Sequence, residues 1–112
     1  MFGNLGQMAS LLKNAGQIKE NMKAAQERLK AARFIGEAGG GQVRTTVDGK
    51  GELIRVQLDP ALIRAGDVEL CEELIVAAAN AAIANSRIGA QKELEAAAGG
   101  INLQGMFDML NK

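Results

Sequence analysis

Hydrophobic and polar positions fall into three regimes along the chain. From Gln7 to about Ala32 the apolar residues Met8, Leu11, Ala15, Ile18, Met22, Ala25, Leu29 and Ala32 recur at alternating spacings of three and four. Their average of about 3.5 is the coiled-coil period rather than the broader stripe of an ordinary surface helix. The spacing predicts a helix over about 7–32. Gly16 lies inside it at a cost of about 1 kcal/mol relative to Ala. The seam fits a helix laid along a sheet or a second helix, and less readily a self-pairing surface.

The second regime alternates with period two. Val43, Thr45 and Val47 point one way and Gln42, Arg44 and Thr46 the other. After Asp48-Gly49-Lys50-Gly51 the alternation resumes, with Ile54, Val56 and Leu58 on one face and Leu53, Arg55 and Gln57 on the other. Successive strand side chains point to opposite faces, so each strand has an apolar and a mostly polar side. Asp48-Gly49 between two such runs predicts a hairpin whose turn uses a positive φ at glycine. Gly39-Gly40-Gly41 predicts another tight turn. The expectation is a three-stranded antiparallel meander with strands at about 33–37, 41–48 and 51–58.

The third regime is helical again. Asp59-Pro60 starts a short turn, with Asp as the cap and Pro at a position whose N–H has no helical partner. Gly66 breaks it, and Asp67 caps a helix predicted over about 67–98. Glu69, Glu72 and Glu73 in its first turns suit the positive end of the helix dipole, so the acidic cluster has a structural explanation. From Leu74 to Ala84 this helix is apolar all round apart from Asn80. A helix without a polar face is buried on every side, and one three-stranded sheet covers one side only. A second copy of the chain is the simplest cover, with Leu74, Ala77, Ala78, Asn80 and Ala81 as the expected dimer interface. Asn80 either satisfies a backbone group, pairs with its symmetry mate or stays partly exposed. Gly99-Gly100 closes the helix. The tail 99–112 holds Ile101, Leu103, Met106, Phe107, Met109 and Leu110, and reads as a docking segment or a flexible end.

The architecture is thus α+β: a long helix, a β-meander and a second long helix, in one domain of 112 residues. With Phe2, Phe34 and Phe107 as its only aromatics, the chain has little bulk per residue, which makes burial in an oligomer attractive. One cysteine, Cys71, precludes an internal disulfide and fits a reducing compartment. No apolar run is long enough to span a bilayer, and no charged-then-apolar signal opens the chain. A soluble, cytoplasmic protein is expected.

Candidate enzymatic chemistry is missing. There is no histidine, so His-based general acid–base catalysis and His metal ligands are excluded, and a single cysteine excludes cysteine-rich zinc sites. Gly49-Lys50-Gly51 lies in a hairpin, not ahead of a helix, so it is no phosphate-binding loop of the P-loop type. No enzyme activity, metal, cofactor or small-molecule substrate is expected. Phenylalanine as the sole aromatic type also argues against single-strand binding by base stacking.

The formal net charge is zero, from 13 basic and 13 acidic residues, but its distribution is uneven. Residues 1–33 hold Lys13, Lys19, Lys23, Arg28, Lys30 and Arg33 against Glu20 and Glu27, whereas residues 59–73 hold Arg64 against five carboxylates. A basic arm and an acidic shoulder present a local positive field without net charge. The charged positions beside the helix 1 seam from residue 19 onward are all positive, which disfavours pairing of this helix with its own copy and leaves the rim free for an anionic surface.

Several pieces then occur in a telling order. They are Met1-Phe2-Gly3, Gly36-Glu37, Gly39-Gly40-Gly41, Val43, Asp48-Gly49, Val56-Gln57-Leu58-Asp59-Pro60, Ala77-Ala78-Ala79-Asn80-Ala81 and Gly99-Gly100-Ile101-Asn102-Leu103. Together they span nearly the whole chain and resemble the YbaB/EbfC family of small bacterial nucleoid-associated proteins. The resemblance implies a tweezer-like homodimer with a shared core of sheet and second helix and with projecting helical arms. It implies double-stranded DNA as partner, held with little sequence specificity, and a place at the nucleoid. The residues expected to grip phosphates are Lys13, Lys19, Lys23, Arg28, Lys30 and Arg33. The alternative is a dimeric protein–protein interaction module with weak or no DNA binding, which neutral charge favours.

Overall fold

The computed structural model of this chain describes residues 3–99. Its elements are α1 (Gly3–Ala31), β1 (Phe34–Ala38), β2 (Val43–Val47), β3 (Leu53–Leu58), α2 (Pro60–Arg64) and α3 (Val68–Ala97). The α+β order is the expected one. Helix α1 begins ahead of residue 7, β1 is shifted by one residue, and β2 and β3 are shorter than the runs that announce them. Among the described residues no helix is long and apolar enough to cross a membrane.

The chain divides into two compact units, residues 28–91 and residues 1–27 with 92–112. The first contains the whole sheet, in the order β1-β2-β3 and antiparallel throughout. Gly39, Gly40 and Gly41 make the β1–β2 turn at φ of 63°, 66° and 91°, a region that glycine enters without a steric penalty. The β2–β3 turn departs from expectation. Its positive φ belongs to Gly51, at 86°, and not to Gly49. Gly49 is needed for proximity instead: a Cβ there would lie 2.6 Å from the Leu29 carbonyl oxygen and 2.7 Å from its Cα. Its amide donates to that carbonyl at 2.8 Å, tying the turn to the end of α1.

A bulge between Thr46 and Val47 changes the face assignment of β3. Val56 lies opposite Thr45 and Leu58 opposite Val43, but Leu53 lies opposite Val47, which leaves Ile54 as the extra residue. Opposed residues of an antiparallel pair share a face, so Leu53 joins the inner face that strict alternation gave to Ile54. One inserted residue reverses the alternation beyond it.

Helix α3 covers the inner face over β1 and β2. Gly36 permits the approach, because any Cβ there would collide with the Ala78 carbonyl oxygen and the Ala82 amide nitrogen. The Thr45 hydroxyl donates to the Ala78 carbonyl at 2.7 Å. Val43, Leu62 and Ala78 form the buried cluster at one end, with Ala38, Leu58, Cys71, Leu74 and Ile75 packed around it. At the other end Phe34 lies against Gly89, and the Ser86 hydroxyl donates to the Asp48 carbonyl at 2.6 Å. Asp59 caps α2 by accepting the Ala61 amide. Asp67 caps α3 by accepting the Leu70 amide. Both caps stand where the sequence puts them.

In the second unit the buried positions among the described residues are Ala25 on α1 and Ala97 and Ala98 at the end of α3. Gln17 donates to Asn21 one turn along α1, at 3.1 Å. Gly99, at φ 76°, ends α3, as a glycine past the last turn does. The tail from Gly100 onward, with its apolar residues, lies outside the described residues.

Candidate nucleic-acid interface

The expected basic residues of α1 are all exposed, and the helix sorts them. At about 100° per residue, Lys19, Lys23 and Lys30 fall within about 40° of one another and make one row about 16 Å long. Lys13 is rotated by about 120° from Lys19, and Arg28 by about 180°. The seam of α1 lies to one side of that row. Ile18, Met22 and Ala32 are half-buried and Ala25 and Leu29 buried, whereas Ala15 is exposed; the side chains of Met8 and Leu11 fall outside the described residues. Burial at Ile18, Met22, Ala25 and Leu29 thus leaves the lysine row facing water. Glu20 and Glu27 flank it at about 80–100° from Lys19. Among the described residues Lys13, Lys19, Lys23 and Lys30 make no ion pair. Arg28 does have a partner.

Arg33 stands apart from the row. It follows the end of α1, and its Nη1 donates to the carbonyls of Lys30 at 3.1 Å and Ala32 at 2.9 Å. These groups have no partner within the helix, and a cation there complements the negative end of the helix dipole. Arg33 is therefore partly spent on finishing α1.

The outer strand face holds less free charge than its sequence suggests. Arg44 grips Glu37 on the neighbouring strand, Nε to Oε1 at 2.9 Å and Nη2 to the same oxygen at 2.6 Å. The pair follows from register, because Glu37 and Arg44 lie directly opposite. Arg55, opposite Thr46, is the remaining cation of that face.

Helix α3 places the expected interface residues on different sides. Ala78 is fully buried against the chain's own sheet, and Leu74 and Ala81 are half-buried there. Ala77 and Asn80 are exposed. Ala78 has no surface left to offer a second copy, since Gly36 and Thr45 occupy it from within the subunit. Asn80 stays at the surface, and Asn85 makes the backbone bond instead, donating to the Ile35 carbonyl at 3.0 Å. That bond closes part of the β1 edge and carried no signal in the helical pattern. Among the described residues no cluster of His, Cys, Asp or Glu has the makings of a metal site.

A lysine row on a long helix beside a three-stranded meander is the setting in which comparison with known proteins becomes informative. Residues 4–101 match the YbaB/EbfC DNA-binding family. The chain belongs to that family. A nucleoid-associated protein of Thermoanaerobacter sp. (strain X514) is 34% identical over 98 residues, covering 88% of each chain. One from Clostridium kluyveri is 31% identical over 106 residues, covering 95% of this chain and 93% of its own. One from Granulibacter bethesdensis is 38% identical over 96 residues, covering 86% and 90%. In structure the chain is similar to an uncharacterized protein from Helicobacter pylori, with a TM-score of 0.57 and 24% identity over 66% of this chain and 86% of that one. This last likeness concerns the fold alone.

Proposed function

We propose that the chain is a nucleoid-associated protein, one YbaB/EbfC-like domain that grips double-stranded DNA as a homodimer in the cytoplasm. The observation that carries the DNA contact is the row Lys19, Lys23 and Lys30, exposed and without an ion pair among the described residues on a helix of 29 residues. A straight row of point charges meets successive phosphates without reading bases, so the contact has little sequence preference. Lys13 and Arg28 add to the field from other sides of the same helix, and Arg33 from just past its end. Two such rows in a dimer reinforce one another, which offsets a net charge of zero.

The homodimer draws its support from uncovered apolar surface. Strand β3 is apolar at Leu53, Ile54, Val56 and Leu58, yet Leu53 is 48% exposed and Val56 39% exposed on the inner face of the sheet. Val76 on α3 is 58% exposed and Val68 67% exposed. Ala77 and Asn80 lie on the same open side of α3 as Val76, one turn apart. A second copy supplies the cover that α3 does not.

Fluorescence anisotropy of the full chain with a 30-base-pair duplex of about random sequence tests the DNA contact. Wild type binds at low salt and loses affinity with salt at about 0.9 log units per log unit for each phosphate it neutralises. Lys19→Glu with Lys23→Glu and Lys30→Glu abolishes that binding while circular dichroism and sedimentation stay unchanged, since none of the three lies on the seam. Full affinity in the folded triple variant moves the contact off α1. A wild type without affinity at low salt leaves the protein-partner module as the better account.

A further inference from the structure

The β2–β3 turn and α3 enclose a notch of about 410 Å³ that the lysine row of α1 does not include. Its lining brings together Lys50 from the turn and Arg87 from α3, along with Gly49, Gly51, Ile83, Ser86 and Ala90. Two glycines and an alanine keep the turn side of the notch low, with Ile83 as its one bulky apolar wall, and the volume is ample for an anion of phosphate size.

The turn that carries Lys50 is braced from several directions. The Gly49 amide is bonded to Leu29 of α1 at 2.8 Å. The Ser86 hydroxyl holds the Asp48 carbonyl at 2.6 Å. The Asp48 carboxylate, in a residue only 3% exposed, accepts the amides of Lys50 and Glu52 at 2.9 Å each. These bonds fix the backbone of the turn, while the Lys50 and Arg87 side chains stay exposed and make no ion pair among the described residues. A fixed frame reduces what ordering costs when a ligand arrives.

The charges around the notch favour an anion. Neither Asp48 nor Glu52 lines it, and the Asp48 carboxylate is turned to backbone amides. Helix α3 has no acidic residue between Glu73 and Glu93, so Arg87 has no carboxylate within a turn of it on its own helix. The two cations are complementary in kind: Arg presents a planar fork of N–H donors, and Lys a compact charge.

We propose that this notch seats one phosphodiester of the DNA backbone, with Lys50 and Arg87 donating to its non-bridging oxygens. The proposal rests on the DNA-binding reading and adds a contact on the body of the protein. It lies near the end of the lysine row, since the turn is bonded to Leu29 and Lys30 is the next residue. The contact positions the duplex and reads no bases, as phosphate contacts do.

Lys50→Gln with Arg87→Gln in the full chain is the test, read by anisotropy with a 30-base-pair duplex of about random sequence over a range of salt. Binding weakens alike across duplex sequences, and the log–log salt slope falls by about one for each notch engaged. Lys50→Arg with Arg87→Lys keeps both charges and recovers most of the affinity. Arg64→Gln on α2, a loss of charge away from the notch, leaves the slope unchanged. A wild-type slope in the folded Gln variant overturns the notch and leaves the lysine row standing. A wild type with no DNA affinity overturns both. Inorganic phosphate, followed by amide shifts at Gly49 to Gly51, separates the sources of the anion: saturation by phosphate with an unchanged DNA slope in the variant assigns the notch to a free anion and overturns the proposal.

Discussion

The two halves of the sheet are built from similar residues and finished differently. On β1 and β2 the inner face is closed: Val43, Thr45 and Val47 are fully buried beneath α3, and Gly36 lets the helix backbone settle onto the strand. On their outer face Arg44 is paired with Glu37 across the strands, beside an exposed Ile35. On β3 both faces stay open up to Leu58, which is half-buried. Leu53 and Val56 share the inner face with Val47 and Thr45 yet remain exposed, and Arg55 stands on the outer face opposite a threonine. Alternation specifies which side chains share a face. It does not specify how much of that face one helix can cover.

The sharpest way to break the comparison is to unseat α3 from the closed half. Gly36→Val places a branched side chain against the Ala78 carbonyl oxygen and the Ala82 amide nitrogen. Backbone atoms of a helix yield less than flexible side-chain ends, so the cost is at least about 3 kcal/mol, at the upper end for overpacking. That is a large part of the stability of a small domain. The expected outcome is loss of the cooperative unfolding transition, or a midpoint lowered by many degrees in thermal circular dichroism. A variant that melts like wild type would mean that the sheet and α3 are not in this contact.

A smaller effect separates the halves directly. Val47→Ala removes two buried methyl groups, and about 2 kcal/mol is expected in urea unfolding, independent of protein concentration. Val56→Ala, 39% exposed, costs less than about 1 kcal/mol if β3 faces water. If a second copy covers β3, its cost rises with protein concentration, and Val56→Glu yields a folded monomer by sedimentation. Equal, concentration-independent losses at the two positions would show that β3 is covered from within the subunit.

What was legible in the sequence divides along the same line. Local devices were plain: the helical seam, the caps at Asp59 and Asp67, and the glycines of the β1–β2 turn act through neighbours one to four residues away. The bulge at Ile54, the reason for Gly49 and the bond from Asn85 to Ile35 were not, because each depends on groups that folding brings together from far along the chain. Asn85 and Ile35 are 50 positions apart. For the candidate site, charge and helical phase together mark Lys19, Lys23 and Lys30 as one row, whereas composition alone counts all six basic residues as equal. Pairing of Arg44 was available once the three-glycine turn set the register. Burial of Ala78 was not, since an all-apolar helix gives no sign of which side its own sheet takes.

The outer faces set the smallest and most discriminating test. Arg44 and Glu37 are each about half exposed, and an ion pair in such a place contributes about 0.5 kcal/mol at most conditions of moderate salt. Arg44→Gln therefore lowers the unfolding midpoint by a degree or two at most on the order expected for so small a change. It also frees the Glu37 carboxylate, which adds an unpaired negative charge to the sheet face that carries Arg55, two strands away. If α1 and the notch hold the DNA, that change of the strand face moves duplex affinity less than about twofold, and Arg55→Gln does the same, because neither residue contributes a phosphate contact. If the outer face of the sheet is the DNA surface, Arg55→Gln weakens binding and lowers the salt slope by about one, while Arg44→Gln weakens it further through the freed carboxylate. Measuring both substitutions against the lysine-row variant in one salt series therefore decides whether β3 is left open for DNA on its outer face or only for a second copy on its inner one.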